Sequence, residues 1–210
     1  MIDIQPPEHT PHTWRDFFIH IATIVLGLVI AIGLEQSVEA IHHRHQLAEA
    51  RKELRGEVAE NIQITSEDLD KIHQLQAELN HDMALLLAHR DTGKPLAGKL
   101  DFTWYFYVTR DAAWKTNQQT GALNLMPHPE LEHYAFTFGV CEGVVESAER
   151  WNIEISIAKA IANRYPTGQL SPQDTAELIT AISDTQGKLA WTATLIGFAR
   201  SGLNDHGFEH

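Results

Sequence analysis

Residues 17–34 read FFIHIATIVLGLVIAIGL, eighteen residues with no Asp, Glu, Lys or Arg and only His20 and Thr23 as polar interruptions. As a helix rising about 1.5 Å per residue they span roughly 27 Å, close to a bilayer hydrocarbon core of about 30 Å. A cleaved signal peptide would need a basic start, a shorter apolar region and a small-residue cleavage site. Here Arg15 is the one basic residue before the stretch, and Glu35, Gln36, Ser37, Val38 and Glu39 follow it within a continuing helical pattern. The reading is an uncleaved anchor over residues 17–38 after a tail at residues 1–16, with the lipid bilayer as a partner. Trp14, Phe17 and Phe18 fall where an interfacial aromatic belt would lie. Gly27 with Ala31, and Gly33 with Ser37, form small-xxx-small steps that allow a second helix to approach closely. Downstream, Arg44, Arg51, Lys52 and Arg55 outnumber Arg15, so the positive-inside rule favours a cytoplasmic C-terminal domain over a periplasmic one.

Beyond the anchor the chain changes character. The 210 residues carry a net charge of −12, with 28 acidic and 16 basic side chains, which repels a phosphate backbone and argues against nucleic acid as a partner. A single cysteine, Cys141, excludes an intrachain disulfide or a multi-cysteine metal site. It falls on an apolar helical face, where a thiol fills space.

No proline occurs between Pro11 and Pro95, so one helix is predicted from the anchor through His89. Val58, Ile62, Thr65, Leu69, Ile72, Gln76, Leu79, Met83 and Leu86 recur in alternating steps of four and three. That seam fits a helix packed in a bundle, with a coiled-coil dimer as the alternative. Residues 91–99 (DTGKPLAGK) break the pattern. The aromatic run at 102–107 has no second strand-like run to pair with, so a short buried helix or an extended corner is expected there. A short helix over 111–119 precedes Gly121 as its left-handed cap. A second long helix runs over 130–164 with Pro129 at its first position, using Leu131, Tyr134, Phe138, Cys141, Val145, Ala148 and Ile155 for packing. Ser171 and Pro172 open a last helix to residue 201, offering Leu178, Ile182, Leu189, Trp191, Leu195 and Phe198 to the core. The fold class is therefore all-α: an N-terminal transmembrane helix continuing into a long helix, then an antiparallel helical bundle, together a domain over 39–203 with a tail at 204–210.

Two segments, TWRDFFIHIATIVLGLVIAIGLEQSVEAIHHRH (13–45) and AAWKTNQQTGALNLMPHPELEHYA (112–135), resemble an uncharacterised family of bacterial single-span membrane proteins. The resemblance implies an inner-membrane anchor followed by a helical domain, and it brings no catalytic residues with it. Trp114 and Gly121 lie in the second segment. They read as a helix–turn–helix corner with Gly121 at positive φ, or as a partner-binding corner.

Chemistry-bearing residues crowd the exit of the anchor. Three of the thirteen histidines, His42, His43 and His45, sit beside Glu39. Glu39 is one helical turn from His42 and His43, so imidazole and carboxylate share a face and a metal or proton site is chemically feasible. A second Glu-x-x-His pair, Glu130 and His133, opens the second long helix, as in di-metal bundles, but the further inward glutamates of such sites are not evident. No phosphate-binding glycine loop, zincin motif or nucleophile elbow occurs. The expectation is a non-enzymatic, membrane-anchored helical interaction or scaffold protein, a homo-oligomer or the partner of another membrane protein, with no cofactor. The alternative is a membrane-bound sensor of metal, protons or a small ligand, acting through the His/Glu cluster or the bundle interior.

Overall fold

The computed structural model describes residues 14–104, 106–165 and 168–203. Among them all regular structure is helical: α1 (Trp14–Thr92), α2 (Ala112–Gln119), a 3₁₀ turn (Ala122–Leu125), α3 (His128–Ala162) and α4 (Pro172–Leu203). Residues 1–13 of the expected N-terminal tail and the tail at 204–210 lie outside the described residues, while residues 14–16 already belong to α1. Two compact units result, Met1–Ala48 and Glu49–His210.

In the first unit every described residue up to His45 is exposed. Phe18, Ile24, Leu26, Val29 and Leu34 are each at least 60% exposed, so the helix buries no apolar stripe against protein. Its side-chain hydroxyls bond to the helix itself: Thr23 Oγ1 donates to the Ile19 carbonyl at 2.9 Å, and Ser37 Oγ to that of Gly33 at 2.7 Å. Both hydroxyls are thereby satisfied within the helix, as a hydrocarbon environment demands. Among the described residues one helix is long and apolar enough to cross a membrane.

The second unit has three long helical legs and one extended leg. Arg51 on α1 pairs with Glu130 at the start of α3, and His89 near the end of α1 meets the Leu170 carbonyl beyond α3. α1 and α3 therefore run in the same direction. α4 runs against both, as Gln186 bonded to Asn80 and Lys188 bonded to Glu154 show. Residues 93–104 and 106–111 supply the missing return between α1 and α3 as an extended strap rather than a helix, so the described residues of the aromatic run form an extended corner.

The closest helix pairing is α3 with α4. Small side chains allow it: Ser147 and Thr192 share a 2.8 Å hydroxyl bond, and Gly202 lies directly over Thr137. Tyr134, Leu79, Leu86, Leu178, Leu189 and Ile196 are fully buried in the unit's interior. Trp191 and Phe198, expected in the core, are 56% and 53% exposed. They fall on the outer edge of α4, because Leu189, Thr192, Ile196 and Ala199 occupy its inner face.

One line of the predicted α1 seam is buried as expected: Val58, Thr65, Ile72, Leu79 and Leu86. The second line, Ile62, Leu69, Gln76 and Met83, is only half-buried. The residues one position earlier, Asn61, Asp68, Leu75 and Asp82, are buried in its place. Three of these four are polar, and the strap explains why.

Candidate functional site

A strand paired with a sheet obtains hydrogen-bond partners from its neighbour's backbone, whereas a strap lying on a helix cannot, because the helix has already used its own. In this protein the side chains of α1 take over. Asp82 Oδ2 accepts from the Asp101 amide at 3.2 Å, and Asp68 Oδ1 accepts from the Tyr107 amide at 2.9 Å. Asn61 meets Arg110 as a second strand would, with Oδ1 accepting from its amide and Nδ2 donating to its carbonyl, both at 2.8 Å. The register follows from geometry. Seven helical residues advance about 10.5 Å and three extended residues about 10 Å. From Asn61 to Asp68 is seven residues against three from Tyr107 to Arg110, and from Asp68 to Asp82 is fourteen against six from Asp101 to Tyr107.

The ladder runs on past the C-terminal end of the strap and reaches its first residues at the other. Glu57 accepts from the amides of Ala113 and Trp114, at 3.0 and 3.1 Å, and so caps α2 from another helix; α2 has no side-chain cap of its own. Glu53 accepts from Asn117 Nδ2 at 2.9 Å. At the other end His89 Nδ1 lies 2.5 Å from the Lys94 carbonyl. Burial pushes the Asp82 carboxyl up to about 6 and also raises that of Asp68, with the backbone bonds opposing in both cases.

The Trp114 and Gly121 corner is built as the helix–turn–helix reading expects. Gly121 has φ +77°, Leu123 is buried, and the Trp114 ring stacks on Phe138 with centroids 5.3 Å apart. Glu130 of the second Glu-x-x-His pair is held by Arg51 through two bonds of 2.8 and 2.6 Å, which raises the Arg51 pKa. Its companion His133 lies 3.1 Å from the Gly202 carbonyl. Both residues thus tie α3 to its neighbours. Burial pushes the Cys141 thiol up to about 11, keeping it protonated and unreactive at neutral pH.

In the first unit Glu39, His42, His43 and His45 are all exposed. Glu39 Oε1 and His43 Nε2 approach to 3.9 Å, and the His42 and His43 rings lie 6.4 Å apart. Among the described residues no group of three or more His, Cys, Asp or Glu side chains is arranged to hold a metal ion. Gly27 is open, with nothing within 4 Å of the position a Cβ would take.

The strap also lines a half-open cavity of about 190 Å³, bordered by Lys71, Ile72, Leu75, Trp104, Phe106 and Trp151. The sequence reading did not single out these residues as a site. The usable signal was the alternation of Asn61, Asp68, Leu75 and Asp82 at one heptad position, in which Leu75 is the exception. Comparison with protein-family models, curated proteins and solved structures returns no match.

Proposed function

We propose that the protein is a single-span, membrane-anchored helical module of the bacterial inner membrane that works by holding a partner rather than by catalysis. The observation that carries this reading is the first unit's helix, apolar on every face, unburied, and with its hydroxyls bonded to its own backbone. Lipid is the surrounding that such a surface fits. The excess of Arg44, Arg51, Lys52 and Arg55 over Arg15 supports a cytoplasmic second unit.

The partner proposed is a second copy of the chain. Gly27 and Ala31 on the exposed helix supply the close-approach step, and Phe136, Trp191 and Phe198 leave further apolar surface uncovered on the second unit. Native mass spectrometry of the full chain released from detergent, together with crosslinking in membranes, tests this. A defined oligomer that Gly27→Leu with Ala31→Leu weakens is expected. A strictly monomeric protein at membrane density would overturn the oligomer. A C-terminal phosphatase fusion that is active, where a fluorescent-protein fusion is dark, would reverse the topology.

A further inference from the structure

The ladder of side-chain bonds between α1 and the strap skips one position. Midway between Asp68 and Asp82 lies Leu75, and midway between Tyr107 and Asp101 lies Trp104. Leu75 offers no acceptor, so among the described residues no α1 side chain ties the strap backbone between Asp101 and Tyr107. At this level the structure has the half-open cavity of about 190 Å³. A cavity of about 150 Å³ accommodates a benzene molecule, so this one has room for a compact organic ligand.

Its walls are apolar and its unmet polar groups are donors. The Trp104 and Trp151 centroids are 4.4 Å apart at 66°, and Phe106 meets Trp151 edge-on at 5.7 Å. Trp151 is 1% exposed, and its indole N–H has no hydrogen-bond acceptor. Lys71, on the same lining, also buries its Nζ without a hydrogen bond. Asp68 Oδ1 is 3.5 Å from it, too far for a good one, and the Tyr107 ring, 3.2 Å to its centre, offers only a π face. An indole N–H and an ammonium can only donate, and a buried donor carries its full desolvation cost until an acceptor meets it. What this cavity lacks is an acceptor.

Charge decides which acceptor fits. The Lys71 ammonium already faces the Asp68 carboxylate, and the other ionisable residue of the lining, Glu78, is acidic and exposed. A carboxylate ligand would join two carboxylates around one ammonium, and a cationic ligand would bring donors to donors. A neutral carbonyl supplies the missing lone pairs at no cost in charge. Both nitrogens are shielded from solvent, so its oxygen reaches them from inside the cavity once the half-buried Trp104 ring, on the stretch of strap that the ladder leaves untied, gives way.

We infer that this cavity binds a compact, uncharged carbonyl compound with a ring-shaped apolar body. The ring lies against Trp104, Phe106 and Trp151, and the oxygen accepts from the Trp151 indole N–H, with the Lys71 ammonium as the second donor of the lining. The site stands whether or not α1 crosses a membrane. The probes are acetophenone, α-methylstyrene, in which a methylene group replaces the carbonyl oxygen, and benzoate. Each is titrated into the full chain, ¹⁵N-labelled at tryptophan, in maltoside micelles, with free concentrations corrected for partition into protein-free micelles. The readout is the set of indole N–H resonances, that of Trp151 being the one missing in Trp151→Phe.

Acetophenone is expected to move the Trp151 indole proton downfield and saturably, as a new hydrogen bond does. At equal free concentration α-methylstyrene and benzoate should occupy the site about two- to tenfold less, without that downfield shift. Trp151→Phe, which keeps an aromatic wall, should weaken acetophenone by a similar about two- to tenfold, read from the Trp104 resonance while far-UV circular dichroism stays helical. Should that variant fail to fold, the ketone and alkene compared on the wild-type chain carry the same test. No saturable shift up to about 10 mM acetophenone overturns the site and leaves a cavity that holds water only. Equal occupancy by the alkene, or an unchanged affinity in folded Trp151→Phe, overturns the role of the donors. Tighter binding of benzoate than of acetophenone overturns the choice of an uncharged ligand.

Discussion

Replacing Asp82 by Asn should stabilise this protein at neutral pH, although the carboxylate accepts a backbone hydrogen bond from the strap. The side chain is 2% exposed, and burial outweighs the Asp101 amide and nearby His81, lifting the carboxyl from 3.8 to about 6. A rise of about two units corresponds to about 3 kcal/mol between the two protonation states. The folded protein holds this proton more tightly than the unfolded chain. The associated stability is therefore fully present below about pH 4 and is lost as pH rises through about 6.

Asn keeps an oxygen for the Asp101 amide and carries no charge. Allowing about 1 kcal/mol for the weaker neutral bond, Asp82→Asn should gain about 1–3 kcal/mol at pH 7.5. For a unit of this size that raises Tm by about 3–10 °C. The assay is thermal unfolding of the full chain in detergent, followed by circular dichroism, for wild type and variant at pH 7.5, 6 and 4.5. Taking the difference between the two proteins cancels the histidines and the opposing Asp101 and Asp174, whose carboxyls are lowered by bonds to Thr103 and Ser171. The difference should shrink toward zero at pH 4.5. A variant less stable than wild type at pH 7.5, or a difference independent of pH, would refute the claim that burial dominates at Asp82.

Three further outcomes follow from the same contacts. Asn61→Ala removes both bonds to Arg110 and opens a small void, and should cost about 2–3 kcal/mol in denaturant titrations, with Asn61→Asp in between because it keeps only the acceptor. Gly202→Ala should destabilise by about 1–3 kcal/mol, because the new methyl would stand 2.7 Å from Thr137 Oγ1, whereas Gly187→Ala, with open space around it, should stabilise by about 0.5–1 kcal/mol. Arg51→Met strands a mostly buried Glu130 and should cost about 1–2 kcal/mol. Adding Glu130→Gln should recover part of it, and a double-mutant cycle with no coupling would show that the pair is only a surface contact.

Much of the architecture was legible because it depends on local periodicity and local caps. The apolar run at 17–34 needs no partner to be recognised, and Ser171 caps α4 as its position beside Pro172 suggests, accepting from the Asp174 amide at 3.1 Å. The Gly121 corner was legible for the same reason: a positive φ is a property of one residue. The exposed positions of Trp191 and Phe198 were not, because a helix's sequence marks an apolar sector wider than the face its neighbours cover. The second α1 seam line was misplaced by one residue for a related reason. Apolar content picks Ile62, Leu69 and Met83, yet Asn61, Asp68 and Asp82 are buried because backbone amides from residues 49, 39 and 19 positions away require acceptors.

By itself, then, the sequence determined that the chain is helical, that one segment is apolar enough to cross a membrane, and, to within three residues, where the α-helices start and stop, since propensity, capping and hydrophobic length act within a few residues of each other. Only the tertiary structure decided that the return leg is an extended strap in seven-to-three register with a helix, and that its skipped position opens an aromatic cavity beside Glu78. Both depend on groups distant in sequence satisfying one another's hydrogen bonds, and no local pattern records which distant backbone a buried carboxylate will meet.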